Sequence, residues 1–302
     1  MTTEARRRPH AVRVDNALAG LVRTMRPRQW LKNVLVLAAP FAGGSIFQLP
    51  VLAAVGVSFV AFSFAASGIY LVNDVRDVEL DRAHPAKRNR PIAAGVVRPR
   101  LALTVAVVLF IIAIAVSFLA STNLVLVISI YLGLQLSYCW WLKDQPVVDI
   151  CVVASGFLLR AIAGGAAAGI ALSQWFLLTT TFGSLFMVAG KRYAEIRLAE
   201  RTGAKIRKSL DRYTSSYLRF VWTLSAAGMI MTYALWAFQL SQSHHSRWPV
   251  ISLIPFVVAV LRYAVQVDYG NGGEPEEIAL RDRVLQVLAG CLVLTLIAAV
   301  YF

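Results

Sequence analysis

The charged residues of this chain are confined to short segments between long apolar stretches, and this pattern limits the possible folds more than any other feature. Hydrophobic residues make up 58% of the 302 positions and charged residues only 15%. A soluble domain has about 25% charged residues, so this chain has more apolar surface than one water-exposed globule can bury. The composition excludes a soluble enzyme and a disordered tail, and it argues against a nucleic-acid binder because the basic residues are widely separated. It predicts an all-α, polytopic membrane protein.

Five stretches of low charge predict the membrane-spanning helices. A spanning helix needs about 20 apolar residues. Four of the stretches are long enough for two such helices, with polar or helix-breaking residues at the middle, and the last stretch holds one. We therefore predict nine transmembrane helices. Their approximate bounds are 31–48, 51–73, 101–120, 123–141, 147–169, 175–193, 217–240, 249–266 and 284–302.

The positions of lysine and arginine predict the orientation of the chain. Of the 30 basic residues, 28 fall on one side of the nine-helix topology, and all 16 acidic residues fall on the same side. Basic residues accumulate in cytoplasmic loops. We therefore predict a multi-pass protein of the bacterial plasma membrane, with the N-terminus and the active site cytoplasmic and the C-terminus extracytoplasmic.

The N-terminal segment differs in composition from the rest of the chain. It is rich in arginine, and apolar residues recur at helical spacing between Val14 and Met25. Such a segment is typical of a helix that lies on an anionic membrane surface. We predict a basic arm with an interfacial helix over residues 1–30 and a single nine-helix catalytic domain over residues 31–302. A disordered arm is the alternative for residues 1–12.

An oxygen-bearing stripe follows the second predicted span. Asn73, Asp77 and Asp81 recur every four residues, so an α-helix would place them on one face over two turns. Crowded carboxylates repel one another unless a cation neutralises them, and Mg²⁺ binds carboxylates together with substrate phosphate oxygens. The pattern predicts a magnesium–diphosphate site, with Asp74 as a further ligand or supporting group and Mn²⁺ as an alternative ion. The other interpretation is an ordinary helix end whose acids pair with nearby arginines.

Basic residues near this stripe are predicted to bind phosphate groups. One candidate lies within a span: Arg160 is about three turns into the fifth predicted helix, where a charge is costly and almost always faces a cavity or a partner. Its alternative role is a structural ion pair with an acid across the bundle. The candidates close to the stripe or at the start of the first span are Arg82, Lys87, Arg88, Arg90, Arg28 and Lys32.

The motif resembles one that is found in a known family. Asn-Asp-x-x-Asp-x-x-x-Asp, followed by His-Pro-x-Lys-Arg-x-Arg-Pro-Ile, is similar to the first Asp-rich motif of the UbiA superfamily of intramembrane prenyltransferases. The resemblance implies a nine-helix bundle with a cytoplasmic-side polar cavity. It also implies that Tyr138 and Lys143 line the mouth of this cavity, with Lys143 on a substrate phosphate; an interface-anchoring lysine is the alternative. Asp149 would orient a base or a ribose hydroxyl, or simply begin a helix.

After the sixth predicted span the chain departs from the superfamily pattern. The prenyltransferases carry a second Asp-rich motif there, whereas this chain has Lys191 and Arg192 and keeps an acid only at Glu195. Lys191 and Arg192 would bind a phosphate directly instead of through a metal ion. The bases in place of acids, together with the segments 26–33 and 273–277, make the chain similar to one branch of the superfamily. In that branch the donor is phosphoribosyl pyrophosphate and the acceptor is decaprenyl phosphate, a polyprenyl phosphate lipid.

The resemblance to this branch implies a magnesium-dependent transfer of 5-phosphoribosyl to the lipid phosphate for cell-wall arabinan synthesis. Asn73, Asp77 and Asp81 would be the catalytic, metal-binding residues, and Tyr70 would close the ribose pocket or pack within the bundle. A homo-oligomer is left open. The alternatives are an aromatic prenyltransferase that uses a prenyl diphosphate donor and a transporter of a phosphorylated solute.

Overall fold

The protein is built from helices. A computed structural model describes residues 17–85, 87–202, 210–269, 278 and 281–301, and no strand occurs in them, which agrees with the all-α prediction. Residues 1–16 of the predicted arm and the segment 273–277 lie outside the described residues. The α-helices are α1 (Ala17–Met25), α2 (Ala38–Ala42), α3 (Leu49–Arg76), α4 (Val78–Ala83), α5 (Pro99–Ser117), α6 (Thr122–Trp140), α7 (Val148–Ala168), α8 (Gln174–Thr202), α9 (Ser215–His244), α10 (Trp248–Ile251), α11 (Leu253–Asp268) and α12 (Arg283–Tyr301). The 3₁₀ segments are Pro27–Leu37, Lys87–Asn89 and Leu142–Asp144.

Seven helices in the described part of the chain are long and apolar enough to cross a membrane. They are α3, α5, α6, α7, α9, α12 and the stretch Trp248–Asp268, which contains α10 and α11. Two of the predicted spans do not meet this description. The span 175–193 lies in α8, which is less apolar than the other long helices. The span 31–48 is irregular, with most of a 3₁₀ segment followed by the five-residue α2.

Backbone chemistry explains the irregular first span. Pro40 in α2 has no N–H to donate, and Gly44 has a positive φ of 69°, a conformation that ends a helix. A hydropathy pattern contains no information about a missing N–H group or a positive φ angle. The stretch is therefore apolar enough to span but does not form one continuous helix.

Helix α3 carries the acidic motif out of the apolar region. It has 28 residues, which correspond to about 42 Å, whereas the hydrocarbon core of a bilayer is about 30 Å thick. Its last turn contains Asn73 and Asp74. This length allows the helix to present both side chains at its polar end while its apolar residues pack in the bundle.

Helix α7 joins the two halves of the bundle. Its Leu159 packs in a core formed with α3 and α6, and its Ile150 packs in a second core formed with α8, α9 and α11. Gly164 allows the 3₁₀ segment before α2 to pack directly on α7, because a Cβ atom at this position would lie 1.8 Å from the Val36 carbonyl oxygen. Helix α7 thereby fixes the relative positions of the N-terminal and C-terminal helices.

Candidate active site

The predicted stripe lies across the junction of α3 and α4. Helix α3 ends at Arg76, and Asp77 separates it from α4, so the stripe is not on one continuous helix. Helical hydrogen bonds nevertheless cross the junction: the Asp77 N–H donates to the Asn73 carbonyl at 2.9 Å, and the Asp81 N–H donates to the Asp77 carbonyl at 2.8 Å. Successive members of the stripe are therefore still one helical turn apart.

Arg90 connects two buried carboxylates of the motif. Asp74 and Asp81 are each 2% exposed. Arg90 Nη1 donates to Asp74 Oδ1 at 3.2 Å and to Asp81 Oδ2 at 2.7 Å. Arg26 Nη2 donates to the same Asp74 oxygen at 2.6 Å, and its guanidinium lies 4.8 Å from the centroid of the Tyr70 ring. Because a buried charge needs a partner, these arginines stabilise the carboxylates. Arg26 was not among the predicted site residues.

Lys143 reaches the third carboxylate from the loop between α6 and α7. Its Nζ lies 2.5 Å from Asp77 Oδ1, and both side chains are 22% exposed. Asn73 Oδ1 lies 3.8 Å from the Sγ atom of Cys139, near the end of α6. The structure therefore places the one basic residue of this loop next to the motif.

The oxygen donors of the motif fit a hard divalent cation. Asn73 offers an amide oxygen, and Asp74, Asp77 and Asp81 offer carboxylate oxygens. Mg²⁺ prefers oxygen ligands and is usually bound by one or two carboxylates together with substrate phosphates. No group of three or more His, Cys, Asp or Glu in the described residues is arranged as a metal site made by protein side chains alone. Carboxylate and amide oxygens of this kind suit a cation that is bound jointly with a phosphorylated ligand.

A second buried cluster lies where α7 meets α8. Arg192 binds the carboxylate of Asp149, and the hydroxyl of Tyr213 donates to the same carboxylate. The Val147 N–H donates to the Tyr213 oxygen at 2.6 Å. Burial, and after it the hydrogen bond with Asp149, raises the pKa of Tyr213, so the hydroxyl stays protonated and able to donate. Arg192, predicted to bind a phosphate directly, thus has a carboxylate partner within the protein.

Tyr213 was not predicted as a site residue. It lies 64 residues from Asp149 in the sequence, and no local spacing connects the two. Only the packing of α7 against α8 and the segment that precedes α9 brings them together. Tyr213 lies in a strongly basic segment of the sequence, and this composition is the one signal that the segment lies at a polar surface.

Arg160 is buried in α7 among neutral groups. Its Nε donates to Asn33 Oδ1 at 2.7 Å, Nη1 to the Gly156 carbonyl at 2.6 Å and Nη2 to the Tyr131 hydroxyl at 3.3 Å. The guanidinium also lies 5.3 Å from the centroid of the Phe62 ring. Within the described ranges no acidic side chain forms an ion pair with it. The alternative of a structural ion pair is therefore not supported by these residues.

The other predicted residues make separate contacts or lie nearer the surface. Arg82 binds Glu79 at 2.8 Å on the exposed side of α4. Lys32 Nζ lies 5.9 Å from the centroid of the Phe157 ring. The half-buried residues are Lys87, Tyr138, Lys191 and Glu195, and the exposed ones are Arg88 and Arg28.

Comparison with known proteins identifies the family. The model of the UbiA prenyltransferase family matches residues 34–298. The chain belongs to the UbiA prenyltransferase family. This UbiA family member is 61% identical over 291 residues to decaprenyl-phosphate phosphoribosyltransferase of Mycobacterium tuberculosis (strain H37Rv), covering 95% of this chain and 96% of the relative. It is 56% identical over 314 residues to the protein of the same description from Mycolicibacterium smegmatis, covering 100% of this chain and 98% of the relative.

A solved structure has the same fold as this UbiA family member. It is a UbiA homolog from Archaeoglobus fulgidus bound to DMAPP and Mg²⁺, with a TM-score of 0.71 and 15% identity, covering 93% of this chain and 99% of that chain. At this identity the likeness establishes the fold alone. Together with the apolar helices, family membership shows that this is a multi-pass membrane protein.

Proposed function

We propose that this protein transfers the 5-phosphoribosyl group of phosphoribosyl pyrophosphate to decaprenyl phosphate. The products are decaprenylphosphoryl 5-phosphoribose, a precursor for cell-wall arabinan, and pyrophosphate. The observation that carries the proposal is the 61% identity, over 95% of the chain, to a decaprenyl-phosphate phosphoribosyltransferase. Lys191 supports the same donor, because it places a base in the segment where the superfamily pattern has acids.

We infer that Asn73, Asp77 and Asp81 hold Mg²⁺, with Asp74 as a further ligand or support and Mn²⁺ as an alternative ion. The ion supplies positive charge that stabilises the pyrophosphate leaving group. Arg90 and Lys143 bind carboxylates of this motif. Both bases therefore lie where they can contact phosphate oxygens of a donor bound at the motif.

The remaining chemistry requires positioning rather than a general base. The acceptor phosphate is already anionic at pH 7, so no base has to remove a proton from it. One of its oxygens bonds to the ribosyl C1 as the bond from C1 to the pyrophosphate oxygen breaks. Arg160 is proposed to attract the anionic substrates, since neutral groups alone surround its charge in the described residues. Charge complementarity and exclusion of water are then the main contributions of the protein.

The additional substrate contacts are proposed from the sequence. Tyr70 closes the ribose pocket, and Asp149 orients a base or a ribose hydroxyl. Residues proposed to bind substrate phosphates or line the polar mouth are Arg82, Lys87, Arg88, Tyr138, Lys191, Arg192, Glu195, Arg28 and Lys32.

We also propose nine transmembrane helices, in which α8 and the irregular stretch 31–48 add to the seven apolar helices. The basic residues support a cytoplasmic N-terminus, a cytoplasmic-side cavity and an extracytoplasmic C-terminus in the bacterial plasma membrane. A basic arm over residues 1–30 precedes the catalytic domain over residues 31–302. A C-terminal alkaline phosphatase fusion tests the orientation: activity of the fusion supports an outside terminus, and an inactive but intact fusion contradicts it.

A product assay tests the reaction. Purified protein in lipid nanodiscs receives either labelled phosphoribosyl pyrophosphate with decaprenyl phosphate or a prenyl diphosphate with aromatic acceptors. We expect a labelled phosphoribosyl lipid from the first mixture alone. A product from the second mixture alone would identify an aromatic prenyltransferase. A separate measurement with the protein in sealed proteoliposomes tests transport: accumulation of the labelled solute inside them without any product would identify a transporter.

A further inference from the structure

An arginine-lined cleft lies beside the acidic motif, on the side of Asp74. It has a volume of about 270 Å³, near the lower limit of roughly 300 Å³ for small-molecule sites. This size suits one phosphorylated group rather than a whole substrate. Helix α1, the junction that follows it and the segment after α4 all contribute to the cleft. Its lining residues are Arg23, Thr24, Arg26, Asp74, Asn89, Arg90 and Pro91.

The charges that line the cleft are unbalanced. Arg26 and Arg90 both bind the buried carboxylate of Asp74, and Arg23 adds a third guanidinium group. The lining therefore has an excess of positive charge, which Asp81, the second carboxylate that Arg90 binds, reduces but does not remove. A phosphate monoester carries a charge of about −1.5 to −2 at pH 7. Arginine also presents paired N–H donors that match phosphate oxygens. Both the charge and the donor geometry fit this class of ligand.

The backbone at Arg26 holds this arrangement in a strained conformation. Arg26 has φ 54° and ψ 62°, in the left-handed region that non-glycine residues rarely adopt. Such strain persists only where the surrounding structure fixes the residue. The strained residue lies at the turn between α1 and the following 3₁₀ segment, so it keeps Arg23 and Arg26 on the same cleft.

We propose that this cleft binds a phosphate monoester group of a substrate. The inference rests on the proposed function and deepens it, because it gives Arg23 and Arg26 a role in binding. Two groups offer this chemistry. The 5-phosphate of the donor is one, since Arg90 connects the cleft to Asp81 of the motif. The lipid phosphate is the other, since an apolar groove that includes Leu18 and Val22 also shares Arg23.

Binding measurements without turnover test the proposal. Ribose 5-phosphate and farnesyl phosphate are titrated into the detergent-purified full chain, with ribose and farnesol as probes that lack the phosphate. The variant is Arg23→Gln, and the matched control is Arg100→Gln, because Arg100 is an exposed arginine that does not line the cleft. We expect Arg23→Gln to raise the Kd of one phosphorylated probe at least about tenfold, the effect of losing a charged hydrogen bond.

Each outcome is informative. If Arg23→Gln raises the Kd of ribose 5-phosphate alone, the cleft is assigned to the donor. If it raises the Kd of farnesyl phosphate alone, the cleft is assigned to the acceptor. Equal Kd values of the wild type, Arg23→Gln and Arg100→Gln for both phosphorylated probes would overturn the proposal. Failure of the proposed reaction is seen separately, as absence of product in the assay of the wild-type protein.

Discussion

Lys143 and Asp77 form an ion pair across 66 residues of sequence, with Nζ and Oδ1 2.5 Å apart. The pair joins the loop before α7 to the motif at the end of α3. Asp77→Asn keeps the size of the side chain and removes its charge. We expect kcat to fall at least about 100-fold, because loss of one charged group at a reacting centre costs about 10² to 10³ in rate. The phosphoribosyl lipid assay measures this effect.

Glu79→Gln is the control for the Asp77 variant. Glu79 lies on α4 between two residues of the motif, but its side chain is 79% exposed and contacts Arg82. We expect near-normal turnover from this variant. Equal losses in both variants would mean that the activity responds to the general charge of this segment and not to the Asp77 carboxylate.

Removal of divalent cations tests the metal role of the motif. The oxygen donors of Asn73, Asp74, Asp77 and Asp81 lie beside Arg26, Arg90 and Lys143, so they form no closed cage in the described chain. We expect EDTA to abolish product formation and added Mg²⁺ or Mn²⁺ to restore it. We also expect the protein to bind Mg²⁺ more weakly when the donor is absent. Isothermal titration of Mg²⁺ with and without phosphoribosyl pyrophosphate measures the difference. Full activity in excess EDTA would contradict the assignment.

Tyr213 is predicted to position the loop that carries Lys143. It binds Asp149 of α7 and the N–H of Val147, a β-branched residue with the unusual φ of 70°. Tyr213→Phe removes both hydrogen bonds, so we expect a lower Tm and a lower kcat. If Tyr213 acts through Lys143, the losses in Tyr213→Phe and Lys143→Ala will not add in the double variant. Strictly additive losses would restrict Tyr213 to a structural role.

The stability of the protein is predicted to depend on Tyr213 at alkaline pH. Burial, followed by the hydrogen bond with Asp149, raises the pKa of Tyr213 above the ordinary value of 10.0. The unfolded chain then loses this proton at a lower pH than the folded protein. The contribution is therefore fully present below about pH 10 and is lost as pH rises toward the raised pKa. Thermal melts from pH 8 to 11 should show a steeper loss of Tm in the wild type than in Tyr213→Phe.

Gly164 is predicted to be essential for seating the first 3₁₀ segment. A Cβ atom at this position would lie 1.8 Å from the backbone carbonyl of Val36, which cannot move independently of its segment. We expect Gly164→Ala to lower the stability by about 1–3 kcal/mol, the usual cost of overpacking. Gly133→Ala on α6 is the matched control, since nothing lies within 4 Å of a Cβ atom there. A thermal melt that is the same for Gly164→Ala and the wild type would show that the contact is loose.

The spacing of charges in the sequence predicts most of the helical architecture. Long apolar stretches identify α3, α5, α6 and α7 because each forms one regular helix. The same criterion fails for 31–48, since Pro40 and Gly44 act on the backbone and not on hydropathy. The criterion also fails for helix α8, but for the opposite reason: α8 is one long helix, yet it is only moderately apolar.

The candidate site could be predicted only where its residues are neighbours in sequence. Asn73, Asp77 and Asp81 share one helical repeat, so their spacing alone indicates a common site. The contacts of Tyr213 with Asp149 and of Arg160 with Asn33 depend on tertiary packing over 64 and 127 residues. Periodicity carries no information at such separations.

The buried pair of Arg192 and Asp149 also has an evolutionary consequence. The prenyltransferase pattern has acids in the segment where Arg192 lies, so a return to that pattern would begin by exchanging this arginine for an acid. Such a single exchange would place a second negative charge against a carboxylate that is 1% exposed. Since unpaired buried charges are strongly destabilising, the intermediate sequence would be selected against. A direct change from arginine to an acid at position 192 therefore requires a compensating change at Asp149.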